Sequence, residues 1–211
     1  MITMLLATPP TLRTAVQHLA TQDKILRPII AEAGLPTLQP HRQYYRALAD
    51  SIIGQQLSIK AAASIRRRFR ELFGGVFPTP EMILGKTPEE LRTAGLSGAK
   101  AIYIRDLAQH IKDGKVRFNK IANQSNETII TELTDVKGIG VWTVHMFLIF
   151  CIGRLDVLPV GDLGIRNGVQ KLYGLKGLPT PDQIIEIAEQ YKWHPYESVA
   201  SWYVWHSLDN N

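Results

Sequence analysis

The sequence contains a single cysteine, Cys151, among its 211 residues. One thiol cannot close a disulfide within the chain, and it cannot supply the several thiolates of an iron–sulfur cluster or a structural zinc site. The six histidines also lack the spacing of metal ligands. This composition predicts a protein of a reducing compartment with no cysteine-based metal centre.

A long hydrophobic run is absent as well. The longest apolar stretch lies near 144–152, well short of the roughly 20 residues that cross a bilayer, and we expect it to form a buried helix. The apolar segment at 1–7 has no basic residues before it, so a signal peptide is not expected. No membrane partner is predicted.

Strand-like alternation is nearly absent, whereas apolar residues recur at helical spacing through most of the chain. We therefore predict an all-α protein whose first helix is capped by Thr11. Arg66, Arg67, Arg68 and Arg70 follow one face of a helix capped by Ser58, and we interpret this run as a solvated face. Further helices are predicted at 99–112, 125–133, 141–152, 162–173, 181–190 and 195–208.

Basic residues are in modest excess. Lys plus Arg exceeds Asp plus Glu by 24 − 19 = 5, and the isoelectric point is near 9.3. Such an excess permits a polyanionic partner but does not require one.

The segment at 133–143 reads Leu-Thr-Asp-Val-Lys-Gly-Ile-Gly-Val-Trp-Thr, which predicts a helix end, a tight turn and a new helix. Gly138 and Gly140 can adopt positive φ and admit a closely approaching backbone, with Ile139 as the anchor in the core. The amides of Gly140 and Val141 would then lie at a helix N-terminus, which suits a phosphate. An ordinary helix–helix turn with a glycine cap explains the same pattern.

About twenty residues further on, a loop rich in proline and glycine ends in an aspartate. It reads Leu-Pro-Val-Gly-Asp-Leu-Gly-Ile-Arg at 158–166. By position, Asp162 is an N-cap for the amides of Gly164 and Ile165. A cap also fixes a carboxylate in place, so capping and catalysis are compatible roles.

Two further features remain open at the level of residues alone. A turn is predicted at Gly54-Gln55-Gln56-Leu57-Ser58. It is either a helix-capping turn with buried Leu57 or a loop that presents a functional side chain. Most of the tryptophans fall near the C-terminus, where such a cluster is normally part of the core.

The hairpin and the loop ending at Asp162 together resemble the helix-hairpin-helix (HhH-GPD) DNA glycosylases, in particular the branch of 3-methyladenine DNA glycosylase II. The resemblance extends from about residue 44 to 208 and includes Trp-His-Pro-Tyr at 193–196. It implies one unit over 1–211 with two helical lobes and an active-site cleft between them. We expect the hairpin and Asp162 to share the lobe at 41–173, and the helices at 1–40 and 174–211 to form the other.

The resemblance implies a monofunctional enzyme that binds double-stranded DNA, flips an alkylated base out of the duplex and hydrolyses its N-glycosidic bond. Alkylated bases of the 3-methyladenine and 7-methylguanine type are the expected substrates, and an abasic site is the product. The resemblance implies Asp162 as the catalytic carboxylate, with Trp142, Trp205, Met146 and Tyr44 around the base. Gly138, Gly140, Val141 and Thr143 would contact the DNA backbone, and Gln56, or Leu57 as its alternate, would be the wedge that enters the duplex. The carbonyls of Thr134, Val136 and Ile139 would surround a structural Na⁺ or K⁺.

Two positions separate this chain from other members of the superfamily. Bifunctional members such as endonuclease III and 8-oxoguanine glycosylase carry a lysine two residues after the second hairpin glycine, where this chain has Trp142. Indole cannot form the Schiff base that such a lysine forms, so we expect no strand cleavage. Glu197 stands where the family usually has an arginine.

The resemblance further implies a monomer that needs no cofactor and works inside the cell, in the bacterial cytoplasm and nucleoid or in a eukaryotic nucleus. A non-catalytic helix-hairpin-helix DNA-binding module is the alternative, although such a module has no need of Asp162. The order of preference among 3-methyladenine, 7-methylguanine, ethenoadenine and hypoxanthine depends on the shape of the pocket, which the sequence does not define.

Overall fold

A computed structural model describes residues 5–209, and the regular secondary structure within this range is helical, apart from one isolated bridge between Leu6 and Arg154. The all-α prediction is confirmed. In chain order the elements are α1 Pro9–Gln22, α2 Leu26–Ala33, α3 Tyr44–Gly54, α4 Ile59–Glu71, α5 Pro80–Leu84, α6 Pro88–Arg92, α7 Gly98–Lys112, α8 Phe118–Ile121, α9 Asn126–Thr134, α10 Val141–Met146, a π-helical segment Phe147–Ile152, α11 Leu163–Leu172, α12 Pro181–Gln190 and α13 Glu197–Asp209.

Most helix starts follow from local capping chemistry, and α1 shows where the sequence reading was wrong. Thr8, not Thr11, is the N-cap of α1, and Thr11 closes the capping box from inside the first turn. Pro9 and Pro10 suit a first helical turn because their missing N–H groups would be unpaired there anyway. The helix therefore begins before Thr11. At α12, by contrast, the predicted range 181–190 is confirmed, with Thr180 as its cap.

The helix after the hairpin changes its hydrogen-bonding pattern partway along. The predicted helix at 141–152 is α-helical only to Met146 and continues as a π-helix from Phe147 to Ile152. At its end the Gly153 amide donates to the Leu148 carbonyl, five residues back, at 2.9 Å. π-helical turns are rare and are often found at functional sites.

The helices form two compact units. The middle unit is Gln43–Phe147, and the outer unit comprises the chain up to Arg42 and from Leu148 onward. The first predicted lobe boundary is close to this division, but the hairpin and Asp162 do not share a unit, so that prediction was wrong. The reason lies in the helix after the hairpin: α10 packs on α9, whereas Cys151 already bonds within the outer unit, where its carbonyl accepts the His41 amide at 3.0 Å.

The middle unit is built around α7. This helix packs against α3, α5 and α6, and its inward face is completely buried at Ala101, Ile104, Leu107 and Ala108. A helix held on this face has little freedom to slide or rotate, because protein interiors are closely packed.

The outer unit is built around α13, which packs against α1, α2 and α11. Its core includes a buried aspartate, Asp23, whose Oδ1 accepts the amides of Ile25 and Leu26. The other oxygen, Oδ2, accepts the Trp193 indole N–H at 2.9 Å and the Tyr173 hydroxyl. Trp193 is therefore a core residue, as expected for a buried tryptophan whose N–H has a partner.

None of the helices within residues 5–209 is both long and apolar enough to cross a membrane.

Candidate active site

Asp162 is the N-cap of α11, as its position in the sequence predicts. Its Oδ1 accepts the Ile165 amide at 2.8 Å. The same oxygen accepts the indole N–H of Trp205, also at 2.8 Å. Two N–H donors stabilise negative charge on this oxygen and hold the carboxylate in one orientation.

The loop before Asp162 is fixed at both ends. Within the loop, the Asp162 amide donates to the Pro159 carbonyl at 2.9 Å. Upstream, the buried hydroxyl of Ser198 accepts the Val157 amide at 3.1 Å, and the Ser198 amide donates to the Leu155 carbonyl at 2.9 Å. Because Ser198 lies in α13, the helix that carries Trp205 also positions the loop that leads to Asp162.

Gly164 lies directly beside the contact between Asp162 and Trp205, where a larger residue would have to displace one of these side chains slightly. A Cβ atom on Gly164 would lie 3.0 Å from Asp162 Oδ1 and 3.0 Å from Trp205 Nε1. Phe150 packs against the Trp205 indole, with the ring centroids 5.7 Å apart and the ring planes tilted by 34°. Phe150 is 40% exposed, and the sequence reading missed it because it lies in the apolar run that was predicted to be buried.

The hairpin adopts the tight turn that was expected, but its two glycines serve different purposes. Gly138 has φ 81°, and a Cβ there would lie 2.1 Å from the Tyr103 ring. Gly140 has φ −96°, which any residue can adopt, and a Cβ there would meet no atom within 4 Å. The expectation of positive φ is confirmed for Gly138 and wrong for Gly140, whereas Ile139 is buried as predicted.

Gly140 also begins α10 without a side-chain cap. The first amides of a helix have no acceptor within the helix and attract anions. Val141, next in sequence, is 49% exposed, so it is accessible for the predicted contact with the DNA backbone. The Thr143 side chain is buried, which argues against the predicted contact of this side chain with the DNA backbone.

The open space around Gly140 gives a test of the hairpin. We expect Gly140→Val to lower the thermal midpoint slightly, because valine is a poorer N-cap than glycine. We also expect it to weaken binding to undamaged and lesion-bearing duplexes alike, by about tenfold, because the new side chain would occupy the space that a phosphate needs. Gly177→Val, at an exposed glycine with equally open surroundings, is the matched control. Fluorescence anisotropy on the two duplexes measures the effect, and a loss confined to lesion-bearing DNA would contradict the assignment.

The turn after α3 is not a capping turn with a buried leucine. Leu57 is 38% exposed, and Gln56 is exposed with φ 55°, an unusual conformation for a residue with a side chain. Both predicted wedge residues therefore lie on the surface of the middle unit.

The remaining predicted pocket residues also belong to the middle unit. Trp142 is 51% exposed, and Met146 follows it one turn later on α10. Tyr44 packs edge-on against Phe147, with ring centroids 5.8 Å apart. Trp205 belongs to the outer unit with Asp162, so a shared base pocket of Trp142 and Trp205 stays a prediction.

The arginine run on α4 is only partly a solvated face. Arg66 donates to the Asp50 carbonyl at 2.9 Å and lies 3.4 Å from its carboxylate. Arg68 donates to the Ala94 carbonyl at 3.0 Å. These two arginines are structural, whereas Arg67 is exposed.

A separate cavity of about 560 Å³ opens in the outer unit. It includes Glu197, whose Oε1 lies 2.9 Å from His194 Nδ1. Glu197, at the position where the resemblance implies an arginine, thus pairs with a neighbour three residues away. Neither Asp162 nor Trp205 lines this cavity, whose walls are His18, Leu158, Ile185, Ala188, Glu189, Lys192, His194 and Glu197.

A helix-hairpin-helix turn in one unit and an aspartate fixed at a helix N-terminus in the other define the class: an all-α chain built on the plan of the helix-hairpin-helix proteins. Comparison with known proteins specifies the family. Residues 49–193 match the family model described as HhH-GPD superfamily base excision DNA repair protein. The chain belongs to this family.

Individual relatives cover almost the whole chain. DNA-3-methyladenine glycosylase 1 of Schizosaccharomyces pombe is 35% identical over 195 residues, which are 89% of this chain and 84% of that protein. The structure of a DNA-3-methyladenine glycosidase from Bacillus halodurans is 37% identical, with a TM-score of 0.84 over 98% of this chain and 92% of that one. The 3-methyladenine DNA glycosylase of S. pombe in complex with abasic DNA is 34% identical, with a TM-score of 0.78 over 93% and 97% of the two chains.

Proposed function

We infer that this protein is a monofunctional DNA glycosylase that removes alkylated bases from double-stranded DNA by hydrolysis and leaves an abasic site. The observation that carries this inference is the carboxylate of Asp162, held by the Ile165 amide and the Trp205 indole in a chain of the HhH-GPD family. A DNA-binding module without catalysis would need this carboxylate only as a helix cap.

The role of Asp162 follows from the charge of the reaction. As the N-glycosidic bond breaks, the sugar gains positive oxocarbenium character, and a fixed anion near C1′ stabilises it. The base departs with the bonding electron pair, the water oxygen bonds to C1′, and Asp162 accepts the proton that the water loses. A carboxylate that is already held in place needs little reorganisation as this charge develops.

The base is recognised by aromatic side chains. An alkylated purine such as 3-methyladenine carries positive charge on its ring, which favours stacking on an electron-rich indole face. We assign this role to Trp142 and Trp205, with Met146 and Tyr44 as further walls. Phe150 joins them through its contact with Trp205.

The hairpin and the turn after α3 hold the duplex. Gly138, Gly140 and Val141 grip a phosphate, and Gln56 or Leu57 enters the space that the flipped nucleotide leaves.

We further propose a Na⁺ or K⁺ at the hairpin, held by the carbonyls of Thr134, Val136 and Ile139. Neutral oxygen ligands suit a monovalent or hard cation. The Val136 carbonyl already accepts the Ile139 amide at 3.1 Å, and a carbonyl oxygen has a second lone pair for a cation. Such a cation would partly neutralise the neighbouring phosphate. Within residues 5–209 no group of histidine, cysteine or acidic side chains could hold a different metal.

The place of action follows from the substrate. We propose that the protein works as a monomer where cellular DNA is found, in the bacterial cytoplasm and nucleoid or in a eukaryotic nucleus.

The direct test is release of free base. Duplexes containing 3-methyladenine, 7-methylguanine, ethenoadenine or hypoxanthine are incubated with the enzyme, and released bases are separated chromatographically. We expect release from methylated DNA with an intact strand. If no lesion yields free base while the protein still binds the duplex, the non-catalytic module is the correct reading.

A further inference from the structure

The turn at Gly54–Ser58, called here the wedge turn, is held in an uncommon conformation. Gln56 has φ 55°, and a residue with a side chain keeps such a conformation only where its surroundings enforce it. The turn follows directly on α3, whose last carbonyls need donors. The wedge turn therefore depends on groups outside α3.

Lys100 supplies those donors. Its ammonium group donates to the Ile53 carbonyl at 2.9 Å and to the Gln55 carbonyl at 2.7 Å. A positive charge at this end of α3 also opposes the negative end of the helix dipole. Lys100, which lies on α7, thus caps the C-terminus of α3. It also fixes the backbone immediately before Gln56, through the Gln55 carbonyl.

A second bond runs from the wedge turn to the hairpin itself. The side-chain amide of Gln55 donates to the Gly138 carbonyl at 2.7 Å. Gln55 and Gly138 are separated by 83 residues in the chain, so this bond links two segments that would otherwise be positioned independently. It joins the residue before the wedge to the first glycine of the phosphate grip.

The hairpin is held by the same helix that holds the wedge turn. Tyr103 packs its ring against Gly138, and the Asp106 carboxylate accepts the Lys137 amide at 2.8 Å. Lys100, Tyr103 and Asp106 are spaced by three residues on α7, so they lie along one side of that helix. An adjacent side of α7 is buried in the core of the middle unit.

We propose that Lys100 and Gln55 are positioning residues for base flipping, and that α7 sets the distance between the wedge and the point where the DNA backbone is gripped. This inference rests on the proposed function. A side chain can fill the gap in a duplex only if it enters at a fixed distance from the phosphates that the hairpin holds. Small displacements of a positioned group have large effects, about a hundredfold for 1 Å in enzymes.

The test compares Lys100→Met with Lys112→Met. Both changes remove one lysine charge from α7, but Lys112 is exposed at the end of the helix and contacts neither the wedge turn nor the hairpin. The probe is a duplex with a tetrahydrofuran abasic-site analogue beside 2-aminopurine, whose fluorescence reports insertion into the gap. Affinity for this duplex is measured against affinity for the undamaged duplex, which does not involve the wedge.

We expect Lys100→Met to reduce the preference for the abasic-site duplex by about tenfold and to diminish the fluorescence change, with affinity for undamaged DNA within about twofold of the Lys112→Met value. Lys100→Arg keeps the positive charge and has enough N–H donors for both carbonyls, so it should recover most of the preference. A role in stability alone would lower the thermal midpoint without changing the preference of the folded protein.

Gln55→Met provides an independent arm if Lys100→Met fails to fold. It keeps the length of the side chain and removes the bond to Gly138, so we expect the same loss of preference. If Gln55→Met, or a folded Lys100→Met, matches Lys112→Met in preference and fluorescence, the proposal is wrong. Because these measurements need no excision, they are distinct from the base-release test of the wild-type enzyme, which decides the proposed function.

Discussion

Asp162→Asn is expected to lose at least about a hundredfold in the single-turnover rate of base excision, since it removes the charge that stabilises the oxocarbenium-like sugar. Folding should be preserved, because asparagine is as good an N-cap as aspartate and its carbonyl oxygen can accept the same two N–H groups. Affinity for undamaged duplex should also be retained, as the hairpin lies in the other unit.

Asp162→Ala separates the charge from the cap. It removes both, so in addition to the loss of activity we expect a loss of about 1 kcal/mol in the free energy of unfolding, the usual value of an N-cap. Rates are measured by quenched single-turnover assays and stability by chemical denaturation. An Asp162→Asn enzyme that turns over like the wild type would remove Asp162 from the mechanism.

The second large effect concerns the product. Borohydride added during turnover should trap no covalent adduct between protein and DNA, because the residue two positions after Gly140 is Trp142 and indole carries no basic lone pair. The lysine nearest to the hairpin in sequence, Lys137, is 67% exposed and lies 3.9 Å from the Asp106 carboxylate. We therefore expect water to be the only nucleophile at C1′ and the nicked fraction to stay at background until alkali is added.

A bifunctional glycosylase acting on its own substrate serves as the positive control for trapping. Lys137→Ala tests the nearest amine. Efficient trapping that disappears in Lys137→Ala, or on replacement of any other single lysine, would show that the enzyme is a lyase.

Much of the helical fold was accessible from the sequence because helix starts are local events. Thr180 and Pro181 mark the start of α12, and Asp162 marks the start of α11, because capping hydrogen bonds form within the first turn of a helix. The same locality explains the error at Thr11, since both Thr8 and Thr11 are good caps and the choice between them depends on the prolines. The change to a π-helix at Phe147 has no local signal and depends on packing.

The site was accessible only in part. The capping role of Asp162 is local, and its bond to Trp205, 43 residues later, joins two residues that the resemblance had singled out separately. Lys100 gave no signal, because a lysine on an amphipathic helix is normally solvated. Arg66 and Arg68 were misread for the same reason: their acceptors are backbone carbonyls distant in sequence, and carbonyls leave no mark on the residue type.

The division of the chain into units has a consequence for its biosynthesis. The middle unit is one uninterrupted segment, Gln43–Phe147, whereas the outer unit is made of two segments on either side of it. On the ribosome, the helices α3, α5 and α6 that pack on α7 are therefore available before the segments carrying α11 and α13 have been translated. Helices α1 and α2 are synthesised first and can pack on each other, but their shared partner α13 comes last. The wedge turn and the hairpin can therefore reach their final arrangement while the carboxylate of Asp162 still lacks the indole that orients it.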